Sequence, residues 1–392
     1  MLDYLKITND ENEMIEIAHR LIEDVNKIKK IYTPLMMEKI YEQVDHYTAG
    51  GCSPEERDRI VYRSIYDYWV YGSSIDEEFY LHLLYKTDEE KREYMVKNIR
   101  RMYVNHLNDA AGPDRVQQLE DKYRLYQRLK PYYLRDVIEV REMSDLGIFE
   151  EFVGKHKEFV VKPADYAFGI GVHKVSMEDY NNDCEAALSS ILNEGLALKS
   201  RHPSRVSKMV LEELITQDES LAVLHRNSVN AVRATAVRGK DGKIHIYHPW
   251  IKVGISGSFV ASAALDGFDA KIDPVTGIVI TDGYQENGNV FEVHPDSGIK
   301  IKGFQIPKWQ ELLNFVDRLM AELPAFGYIG WDLVLTPKGW CVMEGNYSAE
   351  FIFQMIDRRG YKREFEDLIG WKFEKEFWWL EDPTFKRLGE TT

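Results

Sequence analysis

The sequence predicts an α+β chain in which a mostly helical N-terminal region precedes a mixed body of strands and helices. Two observations carry this. The first 110 of 392 residues hold 12 of the 23 tyrosines but only 3 of the 26 glycines, whereas the remainder is punctuated by glycine and rich in β-branched runs. In that first stretch Met14, Ala18, Leu21, Val25 and Ile28 recur at helical steps, as do Met95, Ile99, Met102 and Leu107. Each set forms one apolar stripe, which helix packing alone explains.

Composition narrows the classes further. With 44% hydrophobic residues the chain can build cores, which excludes a wholly disordered protein. The net charge of −15 disfavours broad nucleic-acid or anionic-membrane binding, so any anionic ligand must meet locally arranged cations. Cys52, Cys184 and Cys341 lie too far apart in sequence for a zinc knuckle or a disulfide framework, which fits a reducing compartment. The start, Met1-Leu2-Asp3-Tyr4-Leu5-Lys6, lacks the basic and apolar runs of a signal peptide, and no run of eighteen apolar residues follows. A cytoplasmic protein without membrane insertion or nucleic-acid partners is the expectation.

Gly112-Pro113 reads as the joint between the two regions. In the body, Glu158–Pro163 and Val172–Val175 read as strands flanking a loop with Gly169 and Gly171. Residues 184–199 read as a helix, Met209–Ile215, Val229–Val237 and Lys243–Val253 as strands, and a helix with Trp309, Leu312, Leu313, Val316, Leu319 and Met320 precedes a strand pair at 329–346. No repeat or low-complexity tract is present, and the last thirty residues are aromatic and charged without a readable motif.

The strand pair is the most informative stretch. Thr336-Pro337-Lys338-Gly339 suits a three-residue loop, a type I turn followed by a left-handed glycine, which pairs Thr336 with Trp340. In that register Asp332 lies across from Glu344 and Gly330 across from Asn346. Asp332, Glu344 and Asn346 then share one face, while Trp331, Leu333, Leu335, Cys341 and Met343 form the apolar opposite face. A two-residue turn would separate the two carboxylates. Opposed carboxylates with an amide oxygen make a hard-oxygen set suited to Mg²⁺; a hairpin whose polar face merely meets water shows the same alternation.

Lys162 ends a strand before Pro163-Ala164-Asp165-Tyr166-Ala167-Phe168-Gly169-Ile170-Gly171, a loop that can cover phosphates with backbone donors, although it is not a P-loop. The strand Val210-Leu211-Glu212-Glu213-Leu214-Ile215 ends where backbone groups can pair with an adenine edge, and Glu219, four positions on, can accept from ribose hydroxyls. Each signal alone is weak.

In this order, with Asp121-Lys122 ahead of them, these pieces resemble the ATP-grasp superfamily, and more narrowly its sugar-transfer-associated branch. The narrower resemblance rests on Asn230-Ala231-Val232-Arg233, Asp273-Pro274-Val275-Thr276-Gly277, His294-Pro295-Asp296-Ser297-Gly298, Gly303-Phe304-Gln305-Ile306-Pro307 with Trp309, and Gly330-Trp331-Asp332 with Glu344-Gly345-Asn346. It covers roughly residues 120–350. It implies an ATP-grasp fold, two α+β subdomains sandwiching a nucleotide, preceded by the helical region. The division expected is 1–112 for that region, 113–350 for the ATP-grasp domain (glycine-loop subdomain about 150–210, metal and substrate subdomain about 211–350), and 351–392 for a C-terminal helical tail.

The resemblance further implies ATP and Mg²⁺ as cofactors. Lys122 and Lys162 with Gly169 and Gly171 would contact phosphates, the backbone around Glu212, Glu213 and Ile215 adenine, and Glu219 ribose. Asp332, Glu344 and Asn346 would ligate Mg²⁺, and Arg233 would hold the transferred phosphoryl group. Asn230 and Arg233, three apart, both reach such a site only if a bulge or an early strand start intervenes. Where the branch carries arginine before a glycine, this chain has Lys252 before Gly254. An expected aspartate-asparagine pair is Ala261-Ser262, and the first glycine of a following pair is Asp266. These departures fall in the acceptor region that the resemblance implies, away from the nucleotide-binding residues. D-alanine ligases carry an arginine two residues before the metal aspartate; here that position is Gly330, so Arg233 or Lys252 would serve. His245 and His248 fall on opposite strand faces and do not suit a shared metal, whereas His294 is a candidate substrate contact or a structural loop histidine.

The activity implied is an ATP- and Mg²⁺-dependent ligase that converts a small carboxylate to an acyl phosphate for attack by an amine or a sugar-linked acceptor, in polysaccharide or cell-surface biosynthesis. A phosphotransferase on a hydroxyl and a non-catalytic nucleotide-binding scaffold are the alternatives. Oligomeric state stays open.

Overall fold

The computed structural model describes residues 2–166, 169–257 and 267–380. Ala167 and Phe168 of the glycine loop, the departures at Ala261, Ser262 and Asp266, and residues 381–392 of the expected tail lie outside them.

The first three helices start at side-chain caps. Asp10, Thr33 and Ser53 accept backbone N–H bonds ahead of α1 (Glu11–Ile28), α2 (Pro34–Thr48) and α3 (Pro54–Val70), and Pro34 and Pro54 sit in the first turn, where an N–H has no helical partner. Met14, Ala18, Leu21 and Val25 are buried along α1 as the stripe requires, against Val61, Ile65, Tyr66 and Trp69 of α3. Phe377, Trp378 and Trp379 complete this core, with the Trp378 indole donating to the Tyr68 carbonyl at 2.7 Å. The chain end thus closes onto its beginning.

Next come α4 (Ile75–Tyr80), α5 (Asp88–Lys91) and α6 (Lys97–Leu107). The second predicted stripe faces a core as expected, although only part of it is helical. Met95 precedes α6 and is buried in the core of the body, Ile99 and Leu107 pack against that core, and Tyr103 and Val104 of the helix lie within it. The helical region therefore divides its packing, one part forming its own core and one part continuing the body's.

After α7 (Arg115–Glu120) and α8 (Lys122–Leu129), the smaller sheet comprises β1 (Val137–Val140), β2 (Glu158–Pro163), β3 (His173–Ser176) and β4 (Met209–Glu213) in the order β1-β4-β2-β3, all antiparallel. Its outer face packs Phe159, Val161 and Leu211 against Phe149 and Phe152 of α9 (Leu146–Lys155) and Leu188 and Ile191 of α10 (Cys184–Arg201). The sequence reading missed β1, and since β4 pairs only within this sheet, the change of sheet follows Glu213 rather than residue 210.

The larger sheet follows α11 (Glu219–Ala222). Its strands are β5 (Ala231–Arg238), β6 (Ile244–Ile246), β7 (Trp250–Val253), β8 (Phe268–Lys271), β9 (Gly283–Tyr284), β10 (Val290–Phe291), β11 (Tyr328–Thr336) and β12 (Gly339–Asn346). Their order is β10-β9-β8-β7-β5-β11-β12, with β6 beside β5. The strand expected at 243–253 is broken in two around His248, whose φ is 40°. Trp331, Leu333 and Leu335 of β11 share a core with Leu312, Val316 and Leu319 of α12 (Trp309–Glu322). After β12 come α13 (Phe353–Asp357) and α14 (Lys362–Ile369), which pack into that core, so this part of the expected tail is helical but not separate, while Phe377, Trp378 and Trp379 join the first helices.

Candidate active site

The β11–β12 hairpin is built differently from the expected one, yet it reaches the expected opposition. Thr336 pairs with Gly339, not Trp340, so the turn holds only Pro337 and Lys338. Such a turn would separate the carboxylates, but the register slips by one residue between Asp332 and Leu333, leaving Met343 as a bulge. Above it Asp332 faces Glu344, Trp331 faces Gly345 and Gly330 faces Asn346. The bulge also moves Cys341 off the predicted apolar face: with Val334 and Ala231 it forms a separate buried cluster.

Antiparallel pairing continues this row across the sheet. Asp332 lies opposite Arg233 on β5, Ala231 opposite Lys252 on β7, and Lys252 opposite Asp269 on β8. Directly opposed residues share a face. Arg233 grips Asp332 with two bonds, Nε to Oδ1 at 2.5 Å and Nη2 to Oδ2 at 2.9 Å, and Lys252 Nζ adds a third at 3.3 Å. Asp332 is only 3% exposed. Burial pushes its carboxyl up, but Arg233 and then Lys252 outweigh that and hold it at about 2. Glu344 is a third exposed and lies 3.5 Å from Lys122 Nζ. Asn346 donates to the Gly330 carbonyl at 3.1 Å. An arginine at 330 has no room, because a Cβ there would lie 2.1 Å from that of Ala349. Arg233 and Lys252 occupy the region instead.

A second cluster faces this row from the smaller sheet. Lys162 Nζ donates to Glu212 Oε2 at 2.9 Å, and Arg135 Nε and Nη2 reach the same oxygen at 2.9 and 2.7 Å. Burial alone would raise the Glu212 carboxyl; the Arg135 and Lys162 charges prevail and hold it at about 2. Arg135 also donates to the Val342 carbonyl of β12 at 2.6 Å, which joins the two sheets. Lys122 Nζ donates to the Tyr166 carbonyl at 2.5 Å, tying it to the start of the glycine loop, where Gly169 and Gly171 adopt φ of 70° and 72°. Between the sheets, Ile215, Leu134, Val229 and Met343 pack against Ala231, Val334 and Cys341. Beyond Glu213 the chain leaves its sheet, and Leu214 and Ile215 make no backbone hydrogen bond among the described residues. An apolar cluster thus borders backbone groups without a strand partner.

Other predicted residues are not brought in. Glu219 is exposed and pairs with Arg226 at 2.7 Å. Asn230 precedes β5 and is buried, its amide donating to the Leu221 and His225 carbonyls at 3.1 and 2.9 Å; it braces a loop while Arg233 faces the site. His294 is fully buried. Its Nε2 lies 2.9 Å from the Gly254 carbonyl, and its Nδ1 accepts from the backbone N–H groups of Asp296 and Ser297, so the substrate-contact reading gives way to a structural loop histidine. His245 and His248 pair separately with Asp241 and Glu364. The Glu213 carboxylate turns outward to the Asp136 backbone N–H at 3.0 Å, beside His156. A cavity of about 1120 Å³ lined by Arg101, His106, Lys240 and Trp371 contains no predicted site residue.

Arg135 was missed: nothing in its local sequence marks an arginine that acts across two sheets. Asp269 was missed as well, because a four-residue strand gives too little alternation to reveal its face.

Two antiparallel sheets joined through Arg135, with Lys162 on the smaller and a paired-carboxylate hairpin beside Lys122 on the larger, have the arrangement of an ATP-grasp protein. The profile of the family described as sugar-transfer associated ATP-grasp matches residues 99–368, and the chain belongs to that family. No curated protein sequence matches it. Among solved structures, D-alanyl-alanine synthetase A from Vibrio cholerae is similar at 13% identity and a TM-score of 0.37, over 62% of this chain and 61% of that one. D-alanine–D-alanine ligase from Bacillus anthracis is similar at 15% identity and a TM-score of 0.36, over 65% and 66%. The chain thus spans about three fifths of the first structure's length, and likeness this distant extends to neither activity nor substrate.

Proposed function

We propose that the protein is an ATP- and Mg²⁺-dependent ligase that activates a carboxylate as an acyl phosphate and transfers the acyl group to an amine. The observation that carries this reading is the row Glu344–Asp332–Arg233, extended by Asn346 and Lys252, on one face of the larger sheet. Three hard-oxygen side chains at adjacent register positions suit Mg²⁺, and a carboxylate held ionised by cations keeps lone pairs for it. When bound, the metal would offset charge between the phosphate and the acceptor carboxylate.

In this reading the adenine lies beside the apolar cluster at Ile215 and Met343, against the backbone that leaves β4. Lys122 and Lys162 neutralise phosphate charge; Lys122 lies 3.5 Å from Glu344 and Lys162 2.9 Å from Glu212, contacts that hold both in place. Arg233 and Lys252 hold the γ-phosphoryl group and the incoming carboxylate while the carboxylate oxygen attacks phosphorus and ADP departs. The amine then attacks the acyl carbon, phosphate leaves, and an amide forms. Glu219, exposed on α11, drops out as the ribose contact. The family's description supports a role in sugar-linked biosynthesis. No helix among the described residues is long and apolar enough to cross a membrane.

The test is ADP release from a carboxylate library, with and without amines, read by mass spectrometry. The reading predicts ADP, phosphate and an amide. ADP with a phosphorylated hydroxyl compound would make the enzyme a phosphotransferase, and tight ATP binding without consumption would make it a scaffold.

A further inference from the structure

Beyond Lys252 the same face of the sheet turns from cationic to anionic. Asp269, directly opposite Lys252, is 4% exposed, and its Oδ1 has no hydrogen-bond partner among the described residues. Glu286 follows β9, whose Tyr284 pairs with Asp269, and the Gln285 amide pins this turn to the Gly267 carbonyl at 2.9 Å. Glu350 comes next to Ala349, which packs over Gly330 on the site face. Asp76, in the first turn of α4 of the helical region, adds its charge to the same field. Burial, then the surplus of carboxylates over Lys252, pushes Glu286 up to about 8, with Glu350, Asp269 and Asp76 all contributing. Asp269 is pushed up to about 7, chiefly by burial, against the opposing pull of Lys252 and Arg233. A cluster of acids with a buried, unpartnered oxygen, ending a row of cations, is incomplete without a positive ligand.

We propose that Asp269, Glu286, Glu350 and Asp76 form the acceptor subsite, an anionic pocket that binds the ammonium group of the amine and is walled on one side by the N-terminal helical region. This rests on the ligase reading and places the acceptor within it. The ammonium gives one proton to Asp269; the freed amine nitrogen bonds to the acyl carbon as the bond from that carbon to the phosphate oxygen breaks, and the second proton leaves on phosphate. The cations of the row thus meet the two anionic substrates, while the acids meet the cationic one.

The experiment uses the full chain with ADP and Mg²⁺ and compares D-glucosamine with D-glucose, and ethanolamine with ethylene glycol, by saturation-transfer titration, with Mg-ATP binding measured in parallel. The amines are expected to bind at least tenfold more tightly than their neutral counterparts. Asp269→Asn and Glu286→Gln should each remove most of that preference while Mg-ATP affinity stays within about twofold. Glu286 is partly exposed, so its variant folds even if Asp269→Asn does not. Equal binding of amines and neutral isosteres, or a preference that survives the double variant, would overturn the proposal. Absence of Mg-ATP binding by the unaltered protein would instead overturn the ligase reading, and a second titration series without nucleotide reads the amine preference independently of it.

Discussion

Asp332 accepts from two cations and faces a second carboxylate, so its replacement does two separate things. Asp332→Ala removes the partner of a buried guanidinium, and loss of one member of such a pair costs about 3–5 kcal/mol. Glu344 is a third exposed, and Glu344→Gln should leave the melting temperature nearly unchanged while reducing ADP release at least about 100-fold. A calorimetric scan beside an ADP assay separates the two roles. Glu212 gives a pH signature of its own. Its folded value, about 2, lies below the ordinary 4.5, so its contribution to stability is present above 4.5 and is lost as pH falls toward 2. Arg135→Ala should weaken that dependence and lower stability by about 3 kcal/mol, measured by denaturant unfolding at pH 3 and pH 7. The order of lysines, acids and glycines was legible in the sequence because those residues sit at strand ends with readable spacing. Arg135 and Asp269 were not, since their roles come from partners on other strands.

The β11–β12 hairpin reached its predicted opposition of Asp332 and Glu344 by a different route. Alternation along β11 placed Trp331, Leu333 and Leu335 on the core face and Asp332 on the other, but it misplaced Cys341 on β12, because the turn type depends on backbone torsions that Thr336-Pro337-Lys338-Gly339 allows in more than one form. The Met343 bulge compensates for the shorter turn, and alternation alone does not reveal a bulge. Helix α1 was legible because five residues at a 3.6 period leave one packing solution. In the stripe Met95–Leu107 the core-facing side was legible, since Ile99 and Leu107 pack against the body's core, but the helix start was not, because Met95 lies buried ahead of it. A buried group joins α3, α4 and α5: Lys91 donates to Asp67 at 2.6 Å, and Glu78 lies beside them, its carboxyl raised well above the ordinary range by burial and then by Asp67. A raised carboxyl binds its proton in the folded state, so this contribution is present below pH 4.5 and is lost as pH rises toward the folded value. Glu78→Gln should therefore flatten the fall in melting temperature between pH 5 and pH 8. An unchanged pH profile would show that the buried acid is not its source.

Across the molecule, the charge of −15 is distributed: −7 belongs to residues 1–110 and the rest to the body. A nucleotide therefore approaches against the overall field and must be held by the few cations that the fold gathers between its sheets. The C-terminal tryptophans bind the first helices to the end of the chain, so Trp378→Ala should destabilise by about 3–5 kcal/mol and loosen the helical wall, seen as faster amide exchange in α1 and α3. The central claim is that one row of side chains, from Glu344 through Asp332 to Arg233, drives ATP-dependent activation of a carboxylate. The direct measurement is transfer of ¹⁸O from a labelled carboxylate substrate into released phosphate, compared between the native chain and Glu344→Gln. The account predicts one labelled oxygen per phosphate from the native enzyme and none above background from the variant. Phosphate released without label, or label transfer undiminished in Glu344→Gln, would contradict it.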